Sequence, residues 1–546
     1  MHKHYMAIMA VLASLAGGTL TARAQTVNIV SGNVTYALPA EQAGDMIYTD
    51  GSTLTFIGRT LALADISEIY FDNTPVTNNT VTITYNGTEA HVVVAGNVAQ
   101  YVTPTISGAH VTLVQDSLVD DTTCGEITYS LSGNSTDGAF TLEGSYKATL
   151  ELCGLTLTNP SGAAIDIQDG KRINLSIKKG TENTLADSTT GTQKGCINCK
   201  GHLELKGKGT LNVSGNLGHA IYAKEYVTVK NCTINVLKAA KDGINCNQYF
   251  AQESGSVTMS NVADEGLQVS YKDDTDREAD DTGQITFNGG SFASTTTAKG
   301  IKAPGDITIN DGTINVKATG STAEGIESKS VLTINGGTVT AMSPDDAINS
   351  ASHLYIKGGI VTAVSSGNDG IDANGNLYIM GGTIMAFGTS SPECGIDANE
   401  EGGYSVIFTG GTLLAVGGGN SVPSTSESTQ PYVSGSLSVS AGNEVTLTSG
   451  STTLATFTVP DTYTGSSSGG GQGGWGGGGW SNAMKAPGGG GQGGQGGGGN
   501  RPGGSSGGSS VLITCAGLTS GSSYTISNGS NTTTATAALK GSQGRW

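Results

Sequence analysis

Charged residues make up only 13% of this 546-residue chain, and positive charge is the scarcer kind, with 27 Lys and Arg against 45 Asp and Glu. That balance makes nucleic acid and bare anionic membrane poor partners. Few long charged side chains, together with 85 glycines and abundant Thr, Ser, Val and Ile, argue against helix. Beyond the first two dozen residues no run is long and apolar enough to cross a bilayer, so no membrane insertion is expected.

The first residues have the pattern of a signal peptide, 1–24. His2-Lys3-His4 precedes an apolar run from about Ala7 to Leu15, and Ala22-Arg23-Ala24 stands before Gln25. No cysteine lies near that cleavage point, which argues against a lipoprotein anchor. The expected product is secreted or held at the cell surface. Losing Lys3 and Arg23 moves its net charge from −18 to about −20.

What the chain does have is a repeat. A small residue, Ile or Leu, a polar residue and another small residue recur as Ala164-Ile165-Asp166-Ile167, Gly243-Ile244-Asn245-Cys246, Gly325-Ile326-Glu327-Ser328 and Gly370-Ile371-Asp372-Ala373, among others. Successive copies lie 22–25 residues apart, apart from two intervals of 32 and 34. A fixed period of this size implies a solenoid. Later copies add a second alternating run (Leu354-Tyr355-Ile356, Leu377-Tyr378-Ile379), a Gly-Gly turn and a third run (Ile384-Met385-Ala386). Three short strands per coil, each apolar on one face, can bury that face only by stacking on the next coil. The expected fold is all-β, a parallel β-helix, with a small N-terminal β segment and a C-terminal antiparallel β unit.

The expected organisation is a β-rich segment at 25–108, with Thr26 to Tyr36 as one strand, and the β-helix at 109–419. The terminal unit comes in two parts, 420–464 and 511–546, separated by a Gly/Ser-rich tract at 465–510 that cannot bury enough surface to order itself. Two segments, Gln248 to Ser254 and the acidic Tyr271 to Gly283, are expected as neighbouring insertions on one edge. Of eight cysteines, Cys199 and Cys246 fall where other coils place Ala223, Ala303, Ala373 and Ala398. They are expected to be small core residues, not metal ligands or disulfides.

In the later coils the positions around the repeated aliphatic are often acidic. Asp242, Glu265, Glu324, Glu327, Asp346, Asp369, Asp372 and Asp397 should stack as a ladder of carboxylates about 4.8 Å apart. Like charges that close repel, and calcium, a hard cation satisfied by carboxylate, amide and backbone oxygens, would remove the repulsion. The alternative is a solvated acidic face with Lys302 and Lys329 as counter-charges. Tyr355 and Tyr378 occupy the same outward position in adjacent coils, so their rings should stack; they offer a face to a sugar, or simply pack as a ladder.

Thr128 to Thr158 with Asn159-Pro-Ser-Gly-Ala-Ala-Ile-Asp166, the Asp369-Gly-Ile-Asp-Ala-Asn374 repeat with Ile-x-Gly-Gly-Thr, and Ser510-Val-Leu-Ile-Thr514 resemble the carbohydrate-binding domain family of exported bacterial β-helices. The resemblance implies a right-handed parallel β-helix that binds calcium and carbohydrate, acidic plant glycan such as polygalacturonate or cellulose, with no established catalysis. The expectation is therefore a non-catalytic, calcium-dependent polysaccharide-binding protein, with Tyr355, Tyr378 and Lys302 as carbohydrate contacts.

Two alternatives stand beside it. A pectate-lyase-like enzyme acting on uronate polymers would need a basic residue next to calcium, with Lys302 beside Glu327 as the candidate. A structural adhesin or matrix protein would instead self-associate weakly through the Gly-rich tract.

Overall fold

A computed structural model describes residues 25–271, 281–464 and 509–541. The proposed signal peptide, most of the Gly-rich tract and the acidic residues from Asp273 to Asp280 lie outside the described residues.

The repeat folds as a parallel β-solenoid. In one coil Ile348–Ser350, Leu354–Ile356 and Ile360–Ser365 follow one another, and in the next come Ile371–Ala373, Leu377–Ile379 and Thr383–Phe387. Each strand pairs in parallel with its counterpart, Ile348 against Ile371, Leu354 against Leu377 and Val361 against Ile384. Alternation sends Ile371, Ala373, Leu377, Ile379, Ile384 and Ala386 fully inside, where stacking supplies the apolar neighbours a lone coil lacks.

First strands build a 13-stranded sheet; second and third strands form the two long ladders of a 29-stranded one. The Gly-Gly corner is a requirement of this geometry. Gly359 and Gly382 have φ of 83° and 82°, and a Cβ on either would sit 2.6 Å from the carbonyl oxygen of the glycine one coil earlier.

Three boundaries differ from the sequence reading. Thr26 to Tyr36 is not one strand but a hairpin, Thr26–Ser31 against Val34–Pro39, turned at Gly32 with φ 58°. The N-terminal segment is continuous with the solenoid, because Thr80–Asn86 pairs in parallel with Ile127–Ser135 and its apolar residues share the main core. The antiparallel pair Val102–Ser107 and Ala109–Gln115 closes that end of the 13-stranded sheet. Gln248 to Ser254 is not an insertion, since Phe250–Gln252 sits in register between Val227–Lys230 and Ile285–Phe287.

At the other end Ser510–Thr514 pairs antiparallel with both Thr412–Gly417 and Tyr432–Ser436. A four-stranded antiparallel sheet, Thr452–Thr458, Glu444–Ser449, Ser523–Ser527 and Thr532–Thr536, completes the cap over a second apolar cluster. Chain on both sides of the Gly-rich tract thus enters one terminal unit. All eight cysteines are free thiols, and Cys199 and Cys246 are buried at the alanine positions.

Candidate functional site

The 13-stranded sheet carries the acidic residues in two columns. The residue after each core aliphatic gives Asp166, Asn198, Tyr222, Asn245, Gln268, Lys302, Glu327, Asn349, Asp372 and Asp397, stacked in strand register. The residue two before it gives Asp242, Glu265, Lys299, Glu324, Asp346 and Asp369, aligned by hydrogen bonds such as Gly243 N to the Glu265 carbonyl and Ala347 N to the Asp369 carbonyl. Lys299 belongs to this column although the acidic pattern passed over it.

Most of these carboxylates are withdrawn from water. Asp242 is 1% exposed, Glu327 0% and Asp346 6%. A desolvated carboxylate needs a proton, a cation or several donors, and the ladder divides according to which it has.

Around Asp242 the charges are largely answered within the protein. Asn245 Nδ2 donates to Asp242 at 2.6 Å, His219 Nδ1 lies 3.4 Å from it, and Lys302 Nζ donates to Glu265 at 2.9 Å. Asp264, which the repeat did not mark although it directly precedes Glu265, completes a trio with Asp242 and Glu265 whose carboxylate oxygens lie within 4.8 Å of one another. The hydrogen bond from Asp264 to Glu265 raises the Asp264 pKa. At Glu265 burial is outweighed by that bond and by Lys302, and its pKa is lowered. Burial pushes Asp242 up to about 7.

Two coils on, Lys299 bridges Glu324 and Glu327, and Lys329 pairs with Glu327. Glu327 is ionised, because the two lysines outweigh burial and lower its pKa; burial raises that of Glu324. Lys302 therefore serves Glu265 and not Glu327, its neighbour in register.

The last coils differ. Asp369, Asp372 and Asp397 bring carboxylate oxygens within 4.8 Å of one another, with Asp346 one coil earlier. Asn349 Nδ2 donates to Asp346 at 2.8 Å and to Asp372 at 3.3 Å, and Ser421 Oγ donates to Asp397 at 2.7 Å. Among the described residues no Lys, Arg or His pairs with Asp346, Asp369 or Asp372. Burial, then the neighbouring carboxylates, pushes Asp372 up to about 8. Burial chiefly raises Asp369 to about 7 and Asp346 to about 6. Of the eight acidic residues expected as metal ligands, Asp346, Asp369 and Asp372 have no basic partner among the described residues, and Asp397 joins Asp369 and Asp372 in a close trio. Their all-oxygen donor set and excess charge fit a hard divalent cation.

Around the corner in the same coils, Tyr355 and Tyr378 stack with ring centroids 4.6 Å apart and planes 6° from parallel. Asn376 donates to the Tyr378 hydroxyl at 2.9 Å. His353 meets both tyrosines and Tyr404 edge-on, at 6.2, 6.2 and 5.8 Å. His353 and Tyr404 were not legible as part of the platform, since neither recurs with the repeat.

A solved structure titled a polysaccharide lyase-like protein from C. thermocellum, a gadolinium derivative, is 19% identical, with a TM-score of 0.38 over 47% of this chain and 97% of its own. No curated protein matches the chain. Residues 115–370 match the model of the family described as carbohydrate-binding domain-containing protein.

Proposed function

We propose that the chain is a non-catalytic, calcium-dependent polysaccharide-binding protein. The observation that carries the reading is the group Asp346, Asp369, Asp372 and Asp397, which concentrates carboxylates with, among the described residues, no basic partner at Asp346, Asp369 or Asp372, while Lys302 and Lys299 serve acidic residues of the preceding coils. Calcium held by Asp369, Asp372 and Asp397 would cancel their repulsion and leave coordination positions for hydroxyl or carboxylate oxygens of a glycan. Such bridging reconciles an acidic protein with a uronate polymer. The Tyr355–Tyr378 stack supplies an apolar face for a sugar ring.

The lysine arrangement weighs against a lyase. A general base must be free to take a proton, yet Lys302 is engaged with Glu265, and Lys299 is held protonated by Glu324 and Glu327, which outweigh its burial.

The test is retention of the mature chain on polygalacturonate and on cellulose, at an ionic strength that screens simple charge attraction, with calcium or with chelator, while ultraviolet absorbance monitors unsaturated products. Retention with calcium alone and no product supports the reading. Product formation would make it a lyase, and equal retention in chelator would remove calcium from the account.

A further inference from the structure

Positive charge is scarce in the chain, but it is not evenly spread. Residues 171–241 hold eleven lysines and one arginine against four carboxylates, Glu182, Asp187, Glu204 and Glu225. The rest of the chain carries fifteen basic residues against forty-one acidic ones. The basic stretch covers about three coils and ends directly before Asp242, where the carboxylate ladder begins. The solenoid thus carries a basic band with acidic coils on either side along its axis.

Parallel stacking turns this composition into geometry. Lys206 pairs in register with Lys230 one coil on. Lys208 lies over Lys178, because Ile177 is in register with Gly207 and Lys208 N donates to the Ile177 carbonyl. With Lys179, five lysines crowd one corner of three successive coils at the ~4.8 Å spacing of neighbouring strands. Two have carboxylate partners, Lys178 with Glu151 at 3.7 Å and Lys206 with Glu204 at 3.6 Å. Lys179, Lys208 and Lys230 are exposed and make no ion pair among the described residues. Arg172, by contrast, is occupied by Glu126 at 2.7 Å and Glu204 at 3.6 Å.

Stacked ammonium groups repel one another as the carboxylates do, and an anionic polymer lying along the corner would relieve them at each coil. A protein partner fits poorly. Protein interfaces are depleted in Lys and depend on aromatic and apolar anchors, and Leu237 is the one large apolar side chain prominently exposed in this stretch.

We propose that residues 171–241 form a cation-independent grip for a polyanionic polysaccharide, one carrying carboxylate or sulfate groups along its length, centred on Lys178, Lys179, Lys206, Lys208 and Lys230. This goes beyond the calcium reading, because it needs no metal and stands even if the carboxylate sheet binds none.

The test uses the full chain, in chelator and in calcium, with immobilised polygalacturonate, dextran sulfate, neutral dextran and duplex DNA across a salt series. Variants are K179Q/K208Q/K230Q, whose side chains make no ion pair among the described residues, and K317Q/K540Q, exposed lysines outside the stretch; thermal melts of both confirm folding. The expected result is binding to both anionic polymers but not to neutral dextran, with affinity falling steeply as salt rises. The K179Q/K208Q/K230Q variant should lose at least roughly tenfold with a shallower salt slope, while K317Q/K540Q retains wild-type binding in chelator. Unchanged binding by K179Q/K208Q/K230Q, or no binding in chelator, would overturn the proposal, as would preference for duplex DNA over both glycans. Chelator-stable binding without any calcium response would instead remove only the calcium reading.

Discussion

Asp372 concentrates the physics of the site. It is half-buried, faces Asp346, Asp369 and Asp397, and receives one long hydrogen bond from Asn349. Without a cation its charge is a liability, so D372N is expected to melt about 2–4 °C above wild type at pH 8 in chelator. In calcium the order should reverse, because only wild type offers the third carboxylate; paired melting curves check both. Tyr378 makes a separate contribution. Y378A should weaken glycan binding roughly 2- to 10-fold, equivalent to the ~0.5–1.5 kcal/mol an aromatic contact adds, with calcium affinity unchanged in a parallel titration. A loss of calcium affinity in Y378A would mean that the platform and the carboxylates are one unit.

At the scale of strand and turn, the small residue before each aliphatic is set by the approach of the next coil. A Cβ on Gly370 would lie 2.6 Å from the Gly395 carbonyl oxygen and 2.7 Å from Phe387 N, both backbone atoms that cannot swing aside. G370A is therefore expected to cost about 1–3 kcal/mol in denaturant unfolding, and an unchanged midpoint would contradict the stacking described. The strand pattern was legible because inward residues at this period have no other use. Which acids would be neutralised was not. The pattern marks Glu324, Glu327 and Asp346 alike, while the outcome depends on Lys299 reaching two carboxylates in the next coil. Thr26 to Tyr36 read as a single strand because Gly32 and Asn33 are short turn residues inside an otherwise continuous β run, and only the pairing of Thr26–Ser31 with Val34–Pro39 reveals the fold-back.

Across the whole molecule, stability should follow the protonation of the buried carboxylates. Asp346, Asp369 and Asp372 have folded pKa values raised to about 6, 7 and 8, above the unfolded value near 4. The folded state then binds more protons than the unfolded chain, so their contribution to stability is fully present below about pH 4 and is lost as pH rises through about 6–8. In chelator the melting temperature should fall between pH 5.5 and 8.5, and calcium should remove most of that fall by replacing the protons. A melting temperature that rises over this window in chelator would contradict the assignment of buried, unpaired carboxylates.

Calcium binding by Asp369, Asp372 and Asp397 is decided by titration calorimetry of calcium into the mature chain and into D369N/D372N at pH 8. Saturable binding is expected for the wild type, with proton release that grows as pH is lowered toward 7, and loss of at least one site in the variant. Identical isotherms for the two proteins, or no heat from either, would contradict it.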